Sequence, residues 1–322
     1  MKAVSYSQFG APSVLQYQDV DTPTITETQV LVKVAAAGVN FADILQRKNV
    51  YPIPQKLPRI PGFEVAGTIE SVGNKVTGLK VGDRVGALTM DGGYSEFAAA
   101  EAINVFPIPK GVSFEVAAAL PGQALTVYFM LEEAGLAKGQ TLAIDAAAGG
   151  VGAVTAQIAK LKGVGKVIGI TGSAEKLANL KKNGYDNGVS TDKGNWKEEL
   201  LHLTDGKGVD VFLDSVGGEL FFGALETLAV GGTVVAFGRA SGQETNFDPR
   251  VLMMKNQSVR GFSLWNYMSQ PNRMKEALKS LLADVETGRL KIDASTYPLK
   301  DAAKVHELME TRATTGKLIL QP

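Results

Sequence analysis

The sequence predicts an α/β protein in which a doubly wound parallel sheet, placed mid-chain, is set into a mostly β region built from both ends. Three observations carry this. Over the first 110 residues the apolar segments are short, strand-like and broken by Gly, Asp and Pro. From about residue 113 strand and helix alternate, and the strands are almost continuously apolar, as in a parallel sheet covered on both faces. After about residue 265 the pattern turns to two helices and two short strands.

In the first region, "QVLVKVAAAGVN" sets Val30, Val32 and Val34 against Leu31 and Lys33, a strand with one face more buried than the other. "FEVAGTIESVG", "LKVGDRVGAL" and "GGYSEFAAAEAINVFPIP" are further short strands, together a small barrel or sandwich. "NFADILQRKNVYPIPQKLPRIPG" interrupts them as a short helix and a Pro-rich loop. "SFEVAAALPGQALTVYFMLEEAG" is helical and broken near Pro121. Then follow strand "TLAIDA", helix "GVGAVTAQIAKLKG", strand "KVIGIT", and helix "SAEKLANLKKNG" with Ser173 as N-cap and Gly184 past its end. "VDVFLDSVGG" and "GGTVVAFG" are strands joined by the helix "ELFFGALETLAVG", and "SVRGFSLW" is a last strand. "MKEALKSLLADVETGRL" and "DAAKVHELMETRAT" are helices, and "STYPLK" and "KLILQP" are short strands.

Composition removes several function classes. Lys plus Arg and Asp plus Glu both total 33, so no bulk charge recruits nucleic acid or an anionic membrane. There are no cysteines and only two histidines, so disulfides, thiolate zinc sites, iron–sulfur clusters and a cysteine nucleophile are ruled out. No signal-peptide core opens the sequence, and no run of about 18 apolar residues goes uninterrupted. The expectation is a cytoplasmic protein without a membrane span or a metal site.

The stretch "IDAAAGGVGA" follows a predicted strand and opens a predicted helix. Its spacing is A-x-G-x-x-G, with Ala147 where a first glycine is usual. Gly149 and Gly150 would bring backbone to a pyrophosphate at a helix N-terminus, and Gly152 would allow close helix–strand packing. A ligand-free tight turn is the competing reading. A dinucleotide site for NAD usually places an acid about 20 residues further on, for the ribose 2′-hydroxyl. Here the corner reads Thr171, Gly172, Ser173, with Lys176 one turn on. A hydroxyl and a lysine suit a 2′-phosphate, hence NADPH. Against this, Ser173 as a plain helix cap and Lys176 as a surface charge remain open. Gly217 in "DSVGG" and Gly238 in "AFGRASG" stand at strand ends where open sheets bind ligands, and singly each also reads as a strand-end turn.

The motifs "GVNFADILQ" (38–46), "PGFEVAGTIESVG" (61–73), "GDRV" (82–85), "GYSEF" (93–97), "ALTVYFML" (124–131), "AAAGGVG" (146–152), "DSVGG" (214–218) and "TTGKLIL" (314–320) occur in this order. With them the chain resembles the medium-chain dehydrogenase/reductases, in particular the zinc-independent quinone oxidoreductase family. The resemblance covers essentially the whole chain. It implies a GroES-like catalytic domain over 1–122 and 265–322 around a Rossmann NADPH-binding domain over 123–264, a cofactor cleft between domains, and a homodimer. Zinc-dependent relatives carry a Cys and a His where this chain has Asn40 and Phe63. Without a Lewis acid to polarise an alcohol oxygen, the chemistry moves to acceptors that take hydride readily.

The resemblance also implies site residues. Asn40 and Asp43 match polar residues lining the active-site cleft, and Tyr51 a tyrosine near nicotinamide and substrate. Thr126 matches a threonine at the nicotinamide end. Gly149, Gly150 and Val151 match the pyrophosphate turn, Ser173 and Lys176 the 2′-phosphate site, and Gly316 and Lys317 a loop touching the cofactor. Leu45 and Thr191 stand where some members have tyrosines. Each residue has a plainer reading as well. Asn40 can bond a loop, Asp43 can cap the short helix, and Tyr51 can cover apolar surface. His202 and His306 read as surface or boundary histidines on helices. The activity so implied is hydride transfer from NADPH to a quinone. Reduction of an enone or alkenal on the same scaffold, and a non-catalytic NADPH-binding protein, are the alternatives.

Overall fold

A computed structural model describes residues 1–322. Met1–Leu125 and Tyr267–Pro322 form one compact unit, and Thr126–Asn266 a second.

The first unit contains β1 (Lys2–Ser5), β2 (Gln16–Asp19), β3 (Gln29–Val39), α1 (Phe41–Arg47), β4 (Glu64–Val72), β5 (Arg84–Leu88), β6 (Phe97–Glu101), β7 (Val105–Pro107) and α2 (Phe114–Ala119). A π-helical turn, Leu120–Ala124, leads from α2 into α3 (Leu125–Glu133). Pro121 has no N–H to continue the α-helical ladder, and the wider turn absorbs it. The run Phe114–Glu133 therefore stays helical throughout. By length and composition it is apolar enough to cross a membrane even with Glu115 and Gln123 interrupting it, but 72% of that apolar stretch is buried inside the protein.

The second unit holds most of α3, then β8 (Thr141–Ile144), α4 (Gly150–Leu161), β9 (Lys166–Thr171), α5 (Leu177–Lys182), β10 (Asn187–Ser190), α6 (Trp196–Leu203), β11 (Val209–Asp214), α7 (Glu219–Thr227), β12 (Leu228–Ala236) and β13 (Ser258–Gly261). The chain returns to the first unit with α8 (Pro271–Glu286), β14 (Ala294–Pro298), α9 (Ala302–Glu310) and β15 (Lys317–Gln321).

In the first unit the strands lie in the order β14-β15-β3-β4-β5-β7, with β6 also paired to β3. All these pairs are antiparallel except β14 with β15. In β3, Val30, Val32 and Val34 are buried and Lys33 is exposed, but Leu31 on the opposite face is buried as well, so the expected alternation holds only at Lys33. The three valines pack with Val65, Ile69, Val85 and, from α9, Val305.

In the second unit six parallel strands run β10-β9-β8-β11-β12-β13. Numbered within the unit this is 3-2-1-4-5-6, whose direction of winding reverses between β8 and β11, the place where such sheets bind dinucleotides. Ala143, Ile168, Ile170, Phe212 and Val234 fill the centre, covered by Trp196, Leu200 and Phe221. The predicted helix beginning at Ser173 is instead a 3₁₀ turn, Ala174–Lys176, followed by α5.

Candidate active site

The glycine-rich turn joins β8 to α4. Ala147 N–H bonds to Ile170 O at 3.0 Å and Gly149 N–H to Ala146 O at 2.8 Å, so the turn folds against β9 before α4 begins. Gly149 is the N-cap of α4, and no acidic side chain stands in the first turn. The N–H groups of that turn have no carbonyl one turn back, and with the helix dipole they make an anion site. A Cβ at Gly152 would lie 2.4 Å from Ala147 O, so only glycine allows this approach. Ala147 is accommodated from the next strand: a Cβ on Gly169 would lie 2.8 Å from the Ala147 methyl. The alanine at the first position thus depends on a glycine 22 positions later.

At the end of β9, Thr171 Oγ1 donates to Ser173 O at 2.9 Å. Ser173 occupies the N-cap position but makes no side-chain cap bond. Asp192, just beyond β10, takes the capping role by accepting Ala174 N–H at 2.9 Å. That corrects the reading of Ser173 as a cap, since a carboxylate from the turn after the neighbouring strand serves it. The Ser190 hydroxyl and the Ala174 N–H hold Asp192 below the ordinary carboxylate range. Lys176 ends the same turn.

β8 and β11 meet at two buried carboxylates, Asp145 and Asp214, each 1% exposed. Asp145 Oδ1 accepts Ser215 N–H at 2.9 Å and Ser215 Oγ–H at 2.6 Å, and its Oδ2 accepts Val216 N–H at 3.1 Å. Asp214 Oδ1 accepts Gly217 N–H at 2.9 Å. Gly217 has φ +70°, the left-handed conformation that favours glycine. Thr126 is nearly buried in the first turn of α3. Sequence reading passed over Asp145, although an acid closing an apolar strand is a signal of a partnered buried carboxylate.

In the first unit, Asn40 is the N-cap of α1 and forms a capping box with Asp43, whose Oδ2 accepts Asn40 N–H at 2.9 Å. The Asn40 amide is held from two sides: Nδ2 donates to Glu64 Oε1 at 2.6 Å, and Oδ1 accepts from Lys317 Nζ at 2.8 Å. Lys317 and Glu64 are themselves a fully buried ion pair. Gly122 N–H in the π turn donates to Glu64 Oε2 at 2.5 Å. Three segments distant in the sequence thus converge on one buried carboxylate. Lys317 points into this network, and Gly316 before it has φ +66°. Tyr51 is half-buried in the Pro-rich loop after α1.

Asp43 faces the unit's interior. Tyr94 Oη donates to Asp43 Oδ2 at 3.0 Å and lies 3.1 Å from His306 Nε2. Its ring meets the His306 imidazole edge to face, with centroids 5.8 Å apart. His306 is fully buried, which overturns its reading as a surface or boundary residue. α9 turns that face onto the sheet, where Tyr94 gives the imidazole a polar partner. Burial raises Asp43 to about 7, against the opposing bonds from Asn40 and Tyr94 and the positive Lys317. Burial, with the positive Arg47, lowers His306 to about 3.

A GroES-like region and a 3-2-1-4-5-6 parallel sheet with a glycine turn at its switch point define the class: a dehydrogenase/reductase of the medium-chain type. The model of the alcohol dehydrogenase GroES-like domain matches residues 26–110, and that of the zinc-binding dehydrogenases matches 150–283. The quinone oxidoreductase of Mus musculus is 37% identical over 327 residues, covering 99% of this chain and 97% of its own. That of Pseudomonas aeruginosa is 35% identical over 325 residues, covering 100% and 99%. The structure is also similar to Escherichia coli quinone oxidoreductase complexed with NADPH, with a TM-score of 0.94, 34% identity and all of both chains covered. The Pseudomonas syringae quinone oxidoreductase superposes with a TM-score of 0.93 at 36% identity, covering 100% of this chain and 99% of its own. The chain belongs to the quinone oxidoreductase family of the medium-chain dehydrogenase/reductases.

Proposed function

We propose that the protein transfers hydride from NADPH to a quinone, with Thr126–Asn266 as the NADPH-binding unit and the remainder as the catalytic unit. The observation that carries this is the turn from Ala146 to Gly152. It is built so tightly that a Cβ at position 152 has no room, and it caps a helix at the switch point of the sheet. The absence of a carboxylate within Thr171–Gly172–Ser173 and the availability of the Ser173 hydroxyl favour NADPH over NADH.

Bound NADPH supplies the hydride. The chain's own residues hold and orient it. Backbone N–H groups of Gly150 and Val151, at the start of α4, would receive the pyrophosphate beside Gly149, whose own N–H is taken by Ala146 O, and Ser173 and Lys176 would receive the 2′-phosphate. The turns at Gly217 and Gly238 border the dinucleotide, and Thr126 faces the nicotinamide end. In the catalytic unit Asn40 and Tyr51 border the quinone. Asn40 is fixed by Glu64 and Lys317, so it presents a set geometry rather than a mobile amide. The quinone takes one hydride and one proton to become the hydroquinone, the proton coming from water or Tyr51. Orientation supplies much of the rate. The same reading includes a homodimer joined through the Rossmann sheets and a cytoplasmic location, checked by sedimentation and by cell fractionation.

The test mixes the purified protein with NADPH or NADH and a panel of quinones and enones, following loss of the reduced-nicotinamide absorbance. Turnover of quinones with NADPH is expected. Turnover of enones alone would replace the acceptor class, preference for NADH would remove the roles of Ser173 and Lys176, and no turnover with any acceptor would leave a binding protein.

A further inference from the structure

We infer that Asp145 is a positioning residue for the dinucleotide: it locks together, across the switch point of the sheet, the turns that border the cofactor. This rests on the NADPH reading above. Asp145 directly precedes the glycine turn, and its neighbour Ala146 already has φ +43°. Its carboxylate reaches across from β8 to the end of β11 and accepts three bonds from Ser215 and Val216, at 2.6 to 3.1 Å. The turn held in this way holds the next one. Ala240 N–H donates to Ser215 O at 3.0 Å, and Ser241 N–H to Val216 O at 2.9 Å. A Cβ on Gly238 would lie 2.6 Å from Ser215 O. One buried side chain therefore sets the spacing of three turns, those at 146–152, 215–218 and 238–242.

The charge arrangement agrees. A bare carboxylate beside a pyrophosphate would repel it. Here the carboxyl of Asp145 is turned toward Ser215 and Val216 and bonded to the Asp214 side chain. Burial and the adjoining Asp214 also hold its proton well above the ordinary carboxylate range. The two carboxyls are thereby kept from both being charged. A dinucleotide that reads backbone N–H groups needs those groups at fixed separations, because a loss of alignment falls directly on the bonds it makes.

The test compares Asp145→Ala, Asp145→Asn and Ser215→Ala with the wild-type enzyme. The asparagine keeps an acceptor for Ser215 and puts a donor against Val216 N–H. Ser215→Ala removes only the hydroxyl bond. The Kd for NADPH is expected to rise at least tenfold in Asp145→Ala, less in Asp145→Asn and least in Ser215→Ala, with the loss appearing in KM for NADPH more than in kcat. Amide exchange at 215–217 should quicken at least tenfold in Asp145→Ala without cofactor, while β8 and β11 stay protected. Unchanged exchange at 215–217, or a Kd within twofold of wild type in both Asp145 variants, overturns the inference. If Asp145→Ala does not fold, the asparagine and Ser215→Ala still decide it by the same exchange. If the wild-type enzyme binds no NADPH, the cofactor reading falls, and faster exchange in the variants then upholds the lock on its own.

Discussion

The pair Asp43 and His306 makes a sharp prediction about stability. Both are buried in the first unit and both contact the Tyr94 hydroxyl, but they shift in opposite directions. Asp43 titrates at about 7 in the folded chain against 3.8 as a free side chain, so its contribution is fully present below about 3.8 and is lost as pH rises through about 7. His306 titrates at about 3 against 6.5, so its contribution is present above 6.5 and is lost as pH falls through about 3. Between about 4 and 6.5 the folded chain holds one proton more on Asp43 and one fewer on His306, and the two slopes cancel. Each single slope is about 1.4 kcal/mol per pH unit. His306→Gln removes one titration and keeps a donor for Tyr94. The first unit of that variant should lose about 3 kcal/mol between pH ~4.5 and ~6.5, where the wild-type unit stays level. Asp43→Asn should do the reverse, losing stability as pH falls from 6.5. Exchange of β3 and β4 amides, corrected for the intrinsic pH dependence, reads this unit directly; both tryptophans, Trp196 and Trp265, lie in the other. A level profile in His306→Gln, or one sloping the opposite way, refutes the reasoning.

Lys317→Met leaves Glu64 charged and buried without its counter-ion, and should cost about 3–5 kcal/mol in urea unfolding. Adding Glu64→Gln to it should cost less than the two single changes together. Gly152→Ala forces a methyl against Ala147 O and should raise the KM for NADPH while costing about 1–3 kcal/mol, measured by steady-state kinetics and thermal unfolding. Lys176→Glu should weaken NADPH at least about tenfold while sparing NADH, and equal loss for both cofactors would remove Lys176 from the 2′-phosphate site.

Local pattern carried much of this into the sequence. The order of strands and helices follows from periodicity, and the turn at 146–152 from glycines between a strand and a helix. What escaped depends on partners far apart in the chain. His306 sits on a short helix whose pattern does not say how deeply its polar face sinks, and its partner Tyr94 is 212 positions away. Lys317 and Glu64 are 253 apart, and Asp145 and Ser215 are 70 apart. Ala147 looked like a defect in the motif because the compensating Gly169 belongs to another strand. The cap from Asp192 was invisible for the same reason: Ser173 has the right type and place, and the turn after the neighbouring strand supplies a charged acceptor instead.

Both units use a buried carboxylate at the end of a strand to gather turns that the sequence separates, but the two are not equivalent. Glu64 collects the Asn40 amide and the Gly122 N–H beside a positive partner, so its charge is matched and removing Lys317 strands it. Asp145 collects Ser215 and Val216 beside a second carboxylate, so its charge is opposed by its neighbour. Asp145 already holds its proton, so asparagine at position 145 changes no charge and gives up one hydrogen bond, at a cost of about 1 kcal/mol. The stability of Asp145→Asn should therefore lie close to wild type while its grip on the cofactor weakens. A change at the Glu64 pair should move both together. The charge beside each carboxylate, rather than its burial, decides whether geometry can be lost without the fold.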